Sequence, residues 1–449
     1  MPRLRVGQAL TGTTPGVICR VESLIGEGGQ GEVYRVRLGA QVFALKWYHE
    51  RILIIDTRLK KRLLDAVESR APSDKFLWPF ELVSLPSGAG LGYLMPLRGE
   101  RFESVHRVIG DALPTPPPFR VLALTCLNLA DGLMQLHTRG RCYQDINADN
   151  VFFDPHSGEV QICDNDNVDI DGSPSVMLGK VEYQAPEIVR RETGPNRFTD
   201  LHSLAVLFFR MLFLGHPLLG ARELSIRNLN DLDVQRRLYG TAPLFVFDPK
   251  DDSNVPLADR HGPMIAHWGV YPQFLRERFS ESFTVGLQDP ERRVTESVWR
   301  RTLAQFHDSI FECAHCEREN FYDPRRHAEA TPCWSCAQPL APPPRIGIRR
   351  AGRVNEPPQH VVALGRSAKL YPHHFGVGSA DTGRPYDFSR PIALVDGEPP
   401  TLRNLSDQRW QVSYADGREL TVGAGESASI EPRMRILAGR AEGEIKMGS

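Results

Sequence analysis

A short polar run restricts this chain more than any other feature: Tyr143-Gln144-Asp145-Ile146-Asn147-Ala148-Asp149-Asn150, followed by the strand-like Val151-Phe152-Phe153. Shortly afterwards Val160-Gln161-Ile162-Cys163 leads into Asp164, a carboxylate at the end of a strand. Asp145 can accept a hydroxyl proton. Asn150 and Asp164 offer an amide oxygen and a carboxylate oxygen, hard ligands of the kind Mg²⁺ takes when substrate phosphates complete its shell. A polar turn between two strands is the bland alternative, and the ordered set around it argues for phosphate chemistry.

Upstream lies Gly26-Glu27-Gly28-Gly29-Gln30-Gly31-Glu32-Val33. Such a cluster lets backbone N–H groups approach phosphate oxygens that a Cβ would hold off. It lies between strands and lacks a following Gly-Lys-Ser/Thr, so it is not a P-loop. Ala44-Leu45-Lys46 then places a lysine among apolar strand residues, a costly position unless an anion meets it. A plain hairpin and a solvated edge lysine are the competing readings of these two features taken singly.

The periodicity orders the elements. Residues 20–46 alternate as strands, 57–69 read as a helix, and strands are expected at Glu81–Ser84 and Leu91–Met95. Past the proline cluster Pro114–Pro118, apolar residues recur at helical spacing from Phe119 to His137. Strands lead and helices follow, which predicts an α+β fold with a small β-rich lobe joined to a larger helical one. Pro339-Leu340-Ala341-Pro342-Pro343-Pro344 reads as a stiff linker. Beyond it, Trp410, Val412 and Tyr414 alternate up to an Asp416-Gly417 turn, with Leu420 and Val422 alternating after it, a hairpin signal.

In this order and spacing the motifs resemble the protein-kinase signature set over about residues 15–310. Gly26–Val33 is similar to the glycine-rich loop, Lys46 to the ATP lysine, Tyr143–Asn150 to the catalytic loop and Asp164-Asn165-Asp166 to the Asp-Phe-Gly motif. Ala185-Pro186-Glu187 matches the Ala-Pro-Glu motif, Asp200 with Ser203-Leu204 fits the start of the central helix, and Arg293 fits the arginine that pairs with that glutamate. The resemblance implies a bilobal protein-kinase-like fold and transfer of the γ-phosphoryl of ATP to Ser/Thr hydroxyls. It implies that the backbone of Gly26, Gly28 and Gly31 covers the phosphates, with Val33, Ala44, Met95 as gatekeeper and Leu97 in the hinge around the base. Lys46 would hold the α- and β-phosphates, Asp145 would act as base, and Asn150 and Asp164 would bind Mg²⁺ or Mn²⁺.

Several positions depart from the family. Gln144 replaces an arginine that clamps a phosphorylated activation loop, so control through Ser173 or Ser175 is not expected. Asn165 and Asp166 replace Phe and Gly, and Asp166 is expected either to add a second carboxylate to the metal site or to be solvated. Asn147 stands at the catalytic-loop lysine, while Lys180 occupies a threonine position of the activation segment; Lys180 is expected either to supply the missing cation or to be an exposed loop lysine. The helix at 57–69 offers Asp65 and Glu68 as partners for Lys46, Glu68 having the longer reach. Tyr143 stands in place of His, where an aromatic ring can still pack.

Cys313-Ala314-His315-Cys316 and Cys333-Trp334-Ser335-Cys336 have the spacing of a tetrahedral Zn²⁺ site, a ribbon over residues 311–340. His315 and His327 lie nearby, but four cysteines complete the shell. Residues 341–449 are expected to form a small all-β domain, read as a β-sandwich docking module in preference to a phosphothreonine reader built on Gly365-Arg366-Ser367 and Asn404-Leu405-Ser406. His373-His374, taken as neighbours on a strand, would face opposite ways and make no metal site. The whole arrangement is similar to bacterial kinases encoded beside a von Willebrand A-type protein and a metal-dependent protein phosphatase in tellurite-resistance-associated clusters, which implies those two as partners.

The formal net charge of −1 gives no reason to expect nucleic acid as a partner. The N-terminal residues lack an apolar segment, and the run Leu201–Leu219 is interrupted by His202, Arg210 and His216, so a buried helix, no membrane and a cytoplasmic location are expected. Against an active kinase stands a nucleotide-binding pseudokinase scaffold, for which Asn147, Asn165 and Asp166 speak and against which the full set Lys46, Asp145, Asn150 and Asp164 speaks.

Overall fold

The computed structural model describes residues 3–110, 112–173, 179–325, 331–353, 355–376 and 386–448. Six strands near the N-terminus close into a barrel: β1 (Ala9–Gly12), β2 (Ile18–Glu27), β3 (Gly31–Leu38), β4 (Gln41–Tyr48), β5 (Glu81–Ser84) and β6 (Gly92–Pro96), in the order β1-β2-β3-β4-β6-β5. The period of two shows plainly in β3. Tyr34 and Val36 are buried against Leu10, Cys19, Val21 and Leu94, while Arg35 and Arg37 point out to Glu22. The expected strands at Glu81–Ser84 and Leu91–Met95 are present, the second shifted by one residue to Gly92–Pro96.

The helix expected over 57–69 is α2 (Leu59–Ser69), preceded by a separate turn, α1 (Glu50–Ile55). Asp56 makes the break: it caps α1, and its carboxylate accepts from Arg58 N–H at 3.2 Å and Arg62 Nη2 at 2.7 Å. Leu59, Leu63 and Ala66 form the buried stripe of α2, and Leu59 and Leu63 pack with Tyr48, Tyr93 and Met95 of the barrel. Glu68 falls outside that stripe and is exposed.

Helical structure follows. α3 (Phe119–His137) occupies the expected span; by length and composition it is the helix among the described residues apolar enough to cross a membrane, and 67% of its apolar window is buried. β7 (Val151–Phe153) and β8 (Val160–Ile162) pair as a hairpin behind the polar run. α4 (Arg197–Phe213) begins at a capping box formed by Asn196 and Thr199 and is buried almost all round, as the Leu201–Leu219 pattern predicts. Phe208 packs edge-on to Trp299 and Phe209 stacks on Phe213.

The chain divides into two compact units, Met1–Pro117 with Thr125–Ile265 and Phe279–Trp299, and Pro118–Leu124 with Ala266–Arg278 and Arg300–Ser449. This division differs from the expected boundary at residue 310. The reason is aromatic: Phe119 and Tyr271 both pack on Phe321 at 5.2 Å, and Tyr271 also meets Phe306. Their short segments therefore group with the later part of the chain.

In the second unit a six-stranded antiparallel sheet runs in the order His360–Ala363, Arg345–Arg350, Ala441–Lys446, Arg435–Ala438, Trp410–Ser413, Glu419–Val422. A four-stranded sheet runs Lys369–Leu370, Ala393–Asp396, Thr401–Asn404, Ser427–Ser429. Ile346, Trp410, Val412 and Ile436 of the first and Leu370, Ala393, Leu402 and Ala428 of the second share one core. The predicted hairpin is there, Trp410 opposite Val422 and Val412 opposite Leu420, with Gly417 in the left-handed conformation its turn requires.

Candidate active site

β4 and β6 set out the apolar side of the cleft. Ala44 lies opposite Met95, and both are buried. Val33, Leu97 and Cys163 are partly buried against the same cluster. The glycine-rich turn lies above it. Gly28 N–H bonds Gly31 C=O at 2.8 Å, and His49 N–H and Arg51 hold the turn through the carbonyls of Gln30 and Gly29. A Cβ at Gly31 would run into the Trp47 carbonyl, which explains glycine there, whereas positions 26 and 29 face open space.

Lys46 is 4% exposed. Its ammonium donates to Asp166 Oδ2 at 2.9 Å and Oδ1 at 3.1 Å and to Gln30 Oε1 at 2.8 Å, and lies 3.4 Å from Asp164 Oδ1. Burial disfavours its charge, but the two carboxylates outweigh burial and keep Lys46 protonated. The expected partner is corrected here: Glu68 is exposed on α2 and does not pair with Lys46, and Asp65 does not either. The inward position of α2 is held by Arg62, whose Nε donates to the Asp166 carbonyl at 2.6 Å.

Asp164 sits in the left-handed conformation and starts a 3₁₀ turn, Asn165–Asn167. Asn165, in place of an apolar plug, is fully buried and donates to the carbonyls of Leu77 at 2.8 Å and Ile162 at 2.9 Å. Asp166 is not solvated, and its carboxylate is engaged by donors of this chain. It is 1% exposed, and its carboxylate accepts from Lys46 and from Tyr48 Oη. Burial raises its pKa, but Lys46 and the Tyr48 hydroxyl bring it below the ordinary value; Asp164 goes the other way, raised by desolvation and by Asp166.

Asp145 receives Asn147 Nδ2 on Oδ1 at 2.7 Å and Asn150 Nδ2 on Oδ2 at 3.0 Å. Burial raises its carboxyl pKa, the two amides pull it down, and Asp164 adds to the rise, so the net shift is toward a stronger base. With Nδ2 committed to Asp145, Asn150 has its Oδ1 left for a cation. The loop is hung on the central helix: Asp200 accepts Tyr143 N–H at 2.5 Å and Gln144 N–H at 2.9 Å. Tyr143 packs in place of the histidine and donates its hydroxyl to the Cys163 carbonyl. Behind this, His137 bridges Asp200 and Glu296 and is raised to about 9, the two carboxylates overcoming the effect of burial.

Arg293 pairs with Glu187 as expected, Nη1–Oε1 at 2.7 Å and Nη2–Oε2 at 2.8 Å, with both side chains largely buried. Lys180 is paired with Asp149, and both are about 45% exposed. It is Gly179 that lies against Asp145, where an added Cβ would collide. Ser175 lies outside the described residues; Ser173 is half-buried.

The four cysteine sulfurs, Cys313, Cys316, Cys333 and Cys336, lie within 4.8 Å of one another. Cys313–Cys336 and Cys316–Cys333 are 3.8 and 3.7 Å apart. A disulfide needs about 2.05 Å, whereas the edge of a tetrahedron with 2.3 Å metal–sulfur bonds is about 3.8 Å. Both knuckles turn alike: Glu317 N–H bonds Cys313 C=O and Ala337 N–H bonds Cys333 C=O, each at 2.9 Å, with Glu317 and Ala337 at positive φ. The donor set and its spacing fit Zn²⁺. His315 is exposed and His327 lies outside the described residues.

His373 and His374 do not lie on a strand but on a 3₁₀ turn, Pro372–Phe375, where both are buried. With Asp308 they place three possible ligand atoms within 4.8 Å. Tyr371 N–H, however, donates to His374 Nδ1 at 3.0 Å. That puts the ring proton on Nε2, which donates to Asp308 Oδ2 at 3.0 Å and so cannot ligate.

The sequence reading missed Gln30, Tyr48 and Arg62. Tyr48 carried a signal, because it follows Lys46 by one strand period; Arg62 carried none.

Residues 117–258, which hold Asp145, Asn150 and Asp164, match the protein kinase domain. Serine/threonine-protein kinase SCH9 of Candida albicans is 24% identical over 42% of this chain and 24% of its own length. Ribosomal protein S6 kinase 2 alpha of Xenopus laevis is 34% identical over 44% of this chain and 27% of its own length, and ribosomal protein S6 kinase alpha-6 of Danio rerio 38% over 22% and 14%. The chain therefore spans about a quarter or less of these relatives. Residues 117–258 are thus similar to the protein kinase domain, and the relatives named here are serine/threonine-protein kinases.

Proposed function

We propose that this chain is a protein kinase that transfers the γ-phosphoryl of ATP to Ser/Thr hydroxyls of protein substrates. One observation carries the reading: Lys46, Asp145, Asn150 and Asp164, drawn from three separate segments, lie together beside a glycine turn that meets Lys46 through Gln30 and an apolar cluster that includes Val33, Ala44, Met95 and Leu97. Lys46 meets the α- and β-phosphates, and the N–H groups of the turn cover them. Asp145, its pKa raised, orients and deprotonates the acceptor hydroxyl. Mg²⁺ or Mn²⁺, held by Asn150 Oδ1 and Asp164, would neutralise charge on the phosphates. Lys180 is carried on the segment whose Gly179 touches Asp145, and release from Asp149 would let it serve as the cation that Asn147 does not provide.

We further infer that the four-cysteine cluster binds Zn²⁺ and that residues 345–449 dock protein partners. By the resemblance to bacterial kinases, those partners are a von Willebrand A-type protein and a metal-dependent protein phosphatase, and the setting is cytoplasmic. Radiolabelled ATP with Mg²⁺, given to wild type and Asp145→Ala with a generic basic protein as substrate, tests the central reading. Label present in wild type and lowered at least ~100-fold in the variant is expected. No label in either, with nucleotide still bound, would make the chain a pseudokinase scaffold.

A further inference from the structure

Protein kinases hold their ATP lysine with a glutamate from the helix of the small lobe. In this chain that helix presents Leu59, Leu63 and Ala66 to the core and turns Arg62, a cation, toward the cleft. A buried lysine without a fixed anion would be costly and would wander among rotamers. Its anion is instead Asp166.

Three independent contacts fix Asp166. Lys46 and Tyr48 lie on one face of β4, two residues apart, and both donate to its carboxylate. Arg62 donates to its carbonyl while also pairing with Asp56 at 2.7 Å. Asn165, its neighbour, is tied to Leu77 and Ile162. The segment that carries Asp164 thus also carries the counter-ion of Lys46, so the phosphate-binding cation and the metal-binding carboxylate are set by one rigid turn. The helix contributes a clamp on that turn, not an ion-pair partner.

We propose that Asp166 is the positioning residue for Lys46, replacing the helix glutamate, and that assembly of the nucleotide site depends on the 164–167 turn and not on an acidic group of α2. The proposal rests on the kinase reading, since it assumes that Lys46 meets nucleotide phosphates.

Binding of a fluorescent ADP analogue to the full chain, with and without added Mg²⁺, tests it. Asp166→Asn is expected to weaken binding by ~10-fold or more in both conditions, about 1.4 kcal/mol, while Glu68→Gln matches wild type. In a Lys46→Met background Asp166→Asn is expected to add less than about twofold, because its effect runs through the lysine. A loss confined to Mg²⁺-containing samples would make Asp166 a metal ligand and overturn the proposal. So would an equal loss in Glu68→Gln, or a full loss from Asp166→Asn on top of Lys46→Met. Should Asp166→Asn not fold, Tyr48→Phe keeps the ion pair and removes one donor; a roughly threefold weakening, absent in the Lys46→Met background, is expected, and no change would overturn the proposal. Wild type that binds no nucleotide at all would remove the kinase reading itself, a result distinct from the others.

Discussion

The four-cysteine knuckles and the turn at Asp164–Asn167 are both small, tightly turned and built from polar ligands, yet they are held in opposite ways. The bonds that close the knuckles are local, while Trp334 of the second knuckle packs edge-on to Phe119. Cys313 to Cys336 spans a short stretch, and each knuckle closes on its own backbone through Glu317 and Ala337. The turn at Asp164 is stitched to distant segments: Lys46 and Tyr48 reach Asp166 from 120 and 118 residues away, and Asn165 bonds Leu77 from 88. A local site can be restored by one metal ion. A stitched site exists only when the whole unit has folded.

Metal removal probes the first half of this contrast and carries the largest expected effect. Structural zinc contributes on the order of 10 kcal/mol to small metal modules. Treatment with a strong chelator is therefore expected to abolish amide-exchange protection at Cys313, Glu317, Cys333 and Ala337, whose N–H groups close the knuckles. Unchanged protection with metal demonstrably removed would show that the knuckles stand on packing, as the cleft does, and the contrast would fail.

Long-range stitching makes a second prediction. Arg293 and Glu187 are 106 residues apart and buried, whereas Arg190 and Glu192 are two apart, Arg190 partly and Glu192 mostly exposed. Arg293→Ala leaves Glu187 as a buried, unpaired charge and is expected to cost about 3–5 kcal/mol in urea unfolding. Arg190→Ala is expected to cost less than about 1 kcal/mol. Equal costs would mean that separation and burial do not set the worth of an ion pair here.

His137 sharpens the contrast through pH. It joins Asp200 and Glu296, 63 and 159 residues away, and its folded pKa is raised to about 9. A raised folded pKa stabilises fully below the unfolded value near 6.5 and the contribution fades as pH rises through 9. Wild type is expected to lose on the order of 3 kcal/mol between pH 6.5 and 9.5 that His137→Gln does not lose. Parallel pH curves for the two proteins would refute the bridge.

Much of the molecule was legible in advance where the pattern is local. The barrel strands, α3, the buried central helix and the hairpin at Trp410–Val422 follow from periods of two and 3.6 and from turn residues. Asp145, Asn150 and Asp164 were legible because they lie close in sequence around one hairpin. The partner of Lys46 was not, because two acids on α2 satisfied the spacing rule and nothing local says which face of that helix meets the strand. His373 and His374 were misplaced on a strand for the same reason: the 3₁₀ turn there is fixed by Asp308 and the Tyr371 backbone, outside any local period.

By itself the sequence determined which groups this chain carries: a glycine-rich turn, a strand lysine, Asp145 with Asn150 and Asp164 close by, and four thiols at metal spacing. Those groups are named by residue type, and short separations hold them in register whatever the rest of the chain does. Only the tertiary structure decided how the charges pair. It gave Asp166 to Lys46, Asp149 to Lys180 and Arg62 to the turn, because an ion pair is chosen by which side chains remain near one another once water is excluded, and that is settled by packing between segments far apart in the chain.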